Sequence, residues 1–434
     1  MQAVKTNATF NKYPAYKDSG VEWLGEIPNE WELRRFKYLF KEINERSDDG
    51  SEELLSVSQY TGVTKKSDKV DDGGMLTTAS TLEGYKKVCK NDLVSNIMLA
   101  WNGSLGFSPF DGITSPAYSI YRLNQGNSIR FFHYLVRSQI YKSEFKRNSS
   151  GVIESRLRLY TDDFFGIWSL LPSLPEQTAI AAFLDDKTAK IDRAIAQKEQ
   201  LISLLKERKQ IIIQNAVTKG LDPTVKLKDS GVEWIGEIPE HWEVKRLKYI
   251  LKERNERSES GEEPLLMVSQ IHGLVVRSEF HDKAEVALSS IGNKIVHKND
   301  LVFNKLKAHL GVFFKSLLDF KGIVSPDYAV YYSNDKIEDL KFLEILCRHP
   351  IYINQFIIRA TGIVEGLIRL YTGDLFALYI PLPSIQEQAQ ILKYIEIQSA
   401  KFDQAIALQQ TQIEKLKEYK STLIDSAVTG KIRV

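Results

Sequence analysis

Residues 17–47 and 228–258 carry one segment twice, KDSGVEWLGEIPNEWELRRFKYLFKEINERS and KDSGVEWIGEIPEHWEVKRLKYILKERNERS, identical at 22 of 31 positions with a spacing of 211. A repeat of this length obliges the chain to build one structure twice. The same spacing pairs LLSVSQ from Leu54 with LLMVSQ from Leu265, and LRLYTDD from Leu157 with IRLYTGD from Ile368. It also pairs PSLPEQ from Pro172 with PSIQEQ from Pro383, and NAVTKG from Asn215 with SAVTGK from Ser426. Each copy is expected to hold a globular part of roughly 150 residues, an ordinary domain size, followed by a long segment of helical character. Two similar but unequal halves suit a target that itself has two similar but unequal halves.

With 434 residues, 43% of them hydrophobic, the chain can bury two sizeable cores. Two cysteines, Cys89 and Cys347, make no disulfide framework, which fits a reducing compartment. The N-terminal residues lack an apolar signal region, and no run approaches the ~20 apolar residues of a membrane span, so a soluble, cytoplasmic protein is expected. A net charge of +2 is mild and does not by itself argue for nucleic acid.

Within one copy, Trp23 and Trp31 flank the turn-like GEIP, and a short amphipathic stretch follows over 35–45. Strand-like runs cover 53–59, 87–97 with NDLV at its centre, and 118–123, punctuated by Gly and Ser. The periodicity predicts a helix over 129–146. This mixed order points to an α/β or α+β domain. The two prolines of LLPSLPEQ then stop the extended run, and Glu176 opens a helix of about 45 residues.

Heptads along that helix place Leu184, Ile191, Leu205 and Ile212 at d, and Ala181, Ile195, Ile202 and Ala216 at a, with Thr188, Lys198 and Lys209 interrupting the seam. The register carried into the second copy gives Ile395, Phe402, Leu416 and Leu423 at d, and Leu392, Ile406, Ile413 and Ala427 at a. Such a helix extends ~65 Å, longer than one domain is wide, so most of it needs another partner. Its duplicate is the nearest candidate. Chain order then makes the two helices antiparallel, with a domain at each end: a dumbbell with approximate two-fold symmetry, whose related surfaces fall about 34 Å apart, or a multiple of that, on a DNA duplex.

The duplicated GVEWLGEIP opening, the NDLV strand, the elements Ser115-Pro116-x-Tyr118 and Ser325-Pro326-x-Tyr328, the LPSLPEQ helix start and the AVTKG and AVTGK helix ends together resemble the specificity subunits of type I restriction-modification systems. The resemblance covers essentially the whole chain. It implies target recognition domains at 1–172 and 220–383, each reading one half of a split site on double-stranded DNA, and spacer helices at 173–219 and 384–434. It further implies that the helices set the spacing and dock two methyltransferase subunits, that adenine is the methylated base, and that restriction subunits join the complex.

Catalysis within this chain is not expected. An adenine methyltransferase needs a cofactor-binding glycine motif and a [DN]-P-P-[YF] loop for the flipped base, and neither is in the sequence. No P-loop and no H-E-x-x-H occurs, and the cysteines lack metal-ligand spacing. No cofactor, metal or membrane is implied.

Comparison of the copies assigns roles. If the half-sites differ, identical side chains cannot distinguish them, so base readers belong where the copies diverge: 60–87 against 271–295, and 95–111 against 303–320. Candidates are Lys65, Lys66, Asn96, Asn102 and Ser104 in the first copy, and His272, Arg277, Asn304, Lys305, Lys307 and His309 in the second. Arg and Lys suit guanine O6 and N7, and Asn suits adenine N6 and N7; taken singly each reads first as a solvated loop residue, and the assignment rests on the blocks rather than on their members. The equivalent Arg158 and Arg369 fit either generic phosphate contacts or a scaffold ion pair. The four tryptophans of the opening segments read as core or docking anchors, and Gln177 and Gln388 as helix-start contacts. Two other readings stay open: a coiled-coil scaffold joining two protein-binding domains, and a self-contained methyltransferase or nuclease.

Overall fold

A computed structural model describes residues 10–69, 81–153, 157–280, 290–362 and 368–434. The chain divides into two compact units, Met1–Glu199 with Gln410–Val434, and Gln200–Gln409. Both have mixed helix and strand content.

In the first unit a four-stranded antiparallel sheet has the order Phe40–Ile43, Tyr118–Leu123, Asp92–Asn96, Leu105–Phe107. Alternation along its strands divides the side chains between two cores. Leu93 and Tyr121 join a large aromatic core with the helices α1 (Ile129–Arg137), α2 (Gln139–Arg147) and α3 (Thr161–Gly166). Val94, Ile120 and Ile43 point the other way, onto Leu55, Val63 and Val88 of two short antiparallel pairs, Leu55–Ser58 with Gly62–Lys65 and Lys86–Val88 with Gly112–Thr114. Coverage of both faces explains why NDLV reads as continuously apolar after its acid.

Two expected elements are split. The predicted helix over 129–146 breaks at Ser138, which is extended (φ −67°, ψ 155°) and whose hydroxyl donates to the Leu135 carbonyl at 2.7 Å. A serine hydroxyl competes for helix carbonyls in this way, and the bend lets Tyr141 and Phe145 reach Phe36. The run 87–97 breaks at Asn91, whose φ of 73° makes a turn ahead of Asp92. Asp92 is 1% exposed, accepts the Cys89 N–H at 2.9 Å and holds Arg122 bidentately at 2.8 and 2.9 Å.

The second unit repeats the plan. Its sheet has the order Leu251–Glu253, Tyr328–Ser333, Leu301–Asn304, Phe313–Lys315. Leu301, Phe303 and Tyr331 face a helical core with α5 (Lys341–Cys347), α6 (Pro350–Arg359) and α7 (Thr372–Phe376), while Val302 and Val330 face a smaller one with Leu266 and Val324. The tryptophans behave as anchors: Trp31 and Trp242 are fully buried, and Trp23 and Trp234 meet Tyr141 and Tyr352 edge-on at 5.1 and 5.0 Å.

The long helices are α4 (Leu174–Lys219, 46 residues) and α8 (Ile385–Val428, 44 residues). Within the first unit the start of α4 runs against the end of α8: Lys420 pairs with Asp192 at 2.7 Å, and Lys198 donates to Gln412 at 2.5 Å. Within the second unit the end of α4 meets the start of α8, with Lys209 on Asp403 at 2.8 Å. Rising numbers on α4 meet falling numbers on α8, so the pairing is antiparallel in each. Ala181, Leu184 and Ile191 are buried with Leu423 and Ala427 in the first core, as the heptads predict. The lysines that interrupt the seam are partnered by polar groups of the facing helix, and Thr188 lies 3.3 Å from the Tyr134 hydroxyl.

Each long helix ends on a tryptophan-bearing segment. In the second unit Ala216 and Val217 of α4 join Trp242 and Ile238. In the first, Ala427 and Val428 of α8 join Trp31 and Ile27. A glycine follows each end with positive φ, Gly220 at 75° and Gly430 at 73°, the usual left-handed helix stop. A Cβ at Gly430 would come within 2.4 Å of the Pro28 ring, so only glycine fits there.

Candidate nucleic-acid interface

In the second unit the hairpin Leu266–Ser269 with Gly273–Val276 ends at Arg277, whose N–H bonds the Leu265 carbonyl at 2.8 Å. The strand Leu301–Asn304 runs into a short 3-10 helix, Lys305–Leu310, stopped by Gly311 in the left-handed conformation (φ 61°). Between these two segments lies a cleft of about 800 Å³ whose lining includes Met267, Ser269, Gln270, Arg277, Lys307 and Tyr328. Among the described residues no carboxylate lines it, and the charged groups there, Arg277 and Lys307, are donors. Burial raises the Tyr328 hydroxyl above its usual range. Two divergent stretches of sequence thus converge on one recess.

The remaining candidates of the second copy are distributed unevenly. His309 is exposed, and His272, also exposed, sits 4.9 Å from the Phe280 ring. Asn304 is 5% exposed and accepts the Leu306 N–H at 3.0 Å, which caps the 3-10 helix. Lys305 lies 3.8 Å from Glu253, which also holds the buried Lys294 at 3.0 Å. Burial, followed by the nearby Lys294, lowers the Lys305 ammonium, and Glu253 opposes the shift. Arg369 pairs with Asp327 at 3.1 Å.

In the first copy Lys65 and Lys66 close the equivalent hairpin, with the Lys66 N–H on the Leu54 carbonyl at 2.8 Å. Lys65 is 4.0 Å from Glu53 and its ammonium lies 5.4 Å from the Phe110 ring centre. Asn96 is buried, accepts the Met98 N–H at 3.2 Å and reaches the Tyr118 hydroxyl at 3.4 Å. Ser104 is buried too, and its hydroxyl donates to Asn102 at 2.9 Å. Asn96, Asn102, Ser104 and Asn304 therefore spend polar atoms on shaping their own loops. Arg158 is exposed, and among the described residues no carboxylate pairs with it. The position of Asp327 is occupied by Ala117 in this copy.

Sequence reasoning passed over Arg137, at the end of α1. Its guanidinium bonds the backbone carbonyls of Leu105 at 2.7 Å and Gly103 at 3.3 Å in one divergent segment, and those of Gln59 at 2.9 Å and Tyr60 at 3.4 Å where the other begins. Among the described residues no group of three or more His, Cys, Asp or Glu side chains is placed to hold a metal ion, and no helix is long and apolar enough to cross a membrane.

No protein-family model matches the chain. Type I restriction enzyme specificity subunits of Methanocaldococcus jannaschii are similar to it: the MjaVIII subunit is 25% identical over 81% of this chain and 83% of its own length. The putative MjaX subunit is 24% identical over 95% and 96%. Among solved structures, a chain from a study of complex assembly and conformational transition in a type I restriction-modification system superposes with a TM-score of 0.65 at 16% identity, covering 93% of this chain and 98% of that one. The HsdS subunit of Thermoanaerobacter tengcongensis gives 0.53 at 16% identity, over 94% and 98%. The fold is that of these solved structures, and the chain is similar along most of its length to type I restriction enzyme specificity subunits.

Proposed function

We infer that this chain, whose homologues are specificity subunits of type I restriction enzymes, is a non-catalytic reader of a bipartite site on double-stranded DNA. The observation that carries this reading is the convergence of two divergent segments in each domain, which in the second domain forms a cleft lined by two cations and, among the described residues, by no carboxylate. Arg277 and Lys307 present donors only, which suits the O6 and N7 acceptors of guanine in the major groove. Lys65 and Lys66 serve the first domain in the same place. Adenine methylation and cleavage then belong to partners, with two methyltransferase subunits and the restriction subunits docking on this chain; residues 1–172 and 220–383 are the recognition domains, and 173–219 and 384–434 the spacer helices. The protein works in the cytoplasm.

Binding of the methyltransferase-bound chain to a duplex selected from a random library tests the reading. Neutralising about six phosphates would lower affinity on the order of 10³-fold between 50 and 200 mM salt. Arg277→Ala should cost about 1–3 kcal/mol at one half of the site only. Salt-insensitive binding without sequence preference would instead favour a scaffold for protein partners.

A further inference from the structure

Arg137 joins the loop of one divergent segment of the first domain to the hairpin turn where the other begins. Its four acceptors are main-chain carbonyls: two in the turn of the hairpin Leu55–Ser58 with Gly62–Lys65, one at Gly103 in the loop before Leu105–Phe107 and one at Leu105, the first residue of that strand. A planar guanidinium with five donors in a fixed fork can span such a set, whereas a point-charge ammonium cannot. Both segments pass close to it at a glycine: a Cβ added at Gly62 would lie 3.4 Å from the guanidinium, and one at Gly106 would lie 3.6 Å from it, ordinary contact distances.

The second domain solves the same packing problem differently. Phe314 stands at the position of Gly106, and its ring lies against Gly273, where an added Cβ would meet it at 3.4 Å. Arg348, the counterpart of Arg137, lies over the Phe314 ring at 4.7 Å and 3.7 Å from Glu344. There a ring fills the space between hairpin and loop, and the arginine stacks on it from outside.

We propose that Arg137 is a positioning residue for base discrimination by the first domain: it locks the hairpin turn and the neighbouring loop into one reading surface without touching DNA. The proposal rests on the reading of the domains as half-site readers. Loss of the clamp frees the two segments to adjust separately to wrong bases, while cations elsewhere still hold the phosphates. Discrimination in the first half-site should therefore fall more than affinity does.

The test uses the full chain with its methyltransferase partner and duplexes carrying single-base changes in either half of the site selected by the unaltered protein. A wrong base pair ordinarily lowers affinity by roughly 5- to 150-fold. Arg137→Met should reduce that penalty to about threefold or less throughout the first half and leave the second half unchanged, and Arg348→Met should leave both penalties intact. Arg137→Lys, which keeps the charge but not the fork, covers the case in which the methionine variant fails to fold, and should relax the first half as well. Unchanged first-half penalties in either variant, or a uniform loss of affinity with the penalties preserved, would overturn the clamp. If the unaltered protein discriminates in neither half, the half-site reading itself fails, and the clamp with it.

Discussion

Asp92 and Asp300 occupy the same turn of the two copies, equally buried, and each takes a backbone N–H and a bidentate arginine, yet the arginines arrive from different strands. In the first copy the arginine is Arg122, on the strand beside Asp92. In the second it is Arg254, which follows the outer strand and also lies over the Tyr332 ring at 4.8 Å. Tyr332 stands where the first copy has Arg122, and Ile43 stands where the second has Arg254. A buried carboxylate needs its cation, and either neighbour can supply it. Divergence between the copies is therefore of two kinds, exchange within the scaffold and change of the reading surface, and residue identity alone does not separate them.

The largest expected effect probes the first kind. Arg122→Met and Arg254→Met each leave a nearly fully buried carboxylate without its cation, and because both arginines are partly exposed the loss should be about 2–3 kcal/mol rather than the full buried-pair value. Urea unfolding followed separately for each domain should give similar losses. A loss confined to one copy would mean that the two pairs are not equivalent.

The buried tryptophans sharpen the comparison. Trp242 donates its indole N–H to Glu387 at 2.9 Å, whereas among the described residues the Trp31 indole N–H has no acceptor, and Glu176, the counterpart of Glu387, is taken by the Tyr13 hydroxyl. Both positions lose similar apolar contact on replacement by Phe. Trp242→Phe should therefore cost about 1.5–3 kcal/mol more than Trp31→Phe, the worth of a bond to a charged acceptor. Equal costs in thermal unfolding would remove this distinction.

The smallest effect concerns the shared arginines. Arg369 is held by Asp327, whereas the first copy has Ala117 at the position of Asp327 and Arg158 pairs with no carboxylate among the described residues. Arg158→Ala should reduce the slope of log affinity against log salt by about one, as for a lost phosphate contact, and Arg369→Ala by clearly less. The reverse order would place the phosphate contact in the second domain.

Much of this architecture is legible in the sequence because it is periodic. The repeat, the heptads and the prolines before each long helix point to two mixed domains and two long helices, and α4 and α8 follow the predicted seam. Less legible is whatever depends on one side chain's competition for the backbone: Ser138 breaks a helix that periodicity alone would continue, and Asn91 turns a strand-like run. The candidate site is legible at the level of segments. Asn96 and Asn304 are the same residue at the end of equivalent strands, and with Ser104 they lie buried and bonded within their own loops. Arg137 escaped notice because its partners are carbonyls far away in sequence, which no side-chain pattern reveals.

The claim that the two domains read independent halves is tested most directly by exchanging residues 60–111 for the corresponding stretch of a homologue with a different target and mapping methylated adenines in a host genome. The methylation motif should change in one half and keep the other half and the intervening spacer. A motif altered in both halves, or left unaltered with the complex intact, would contradict it.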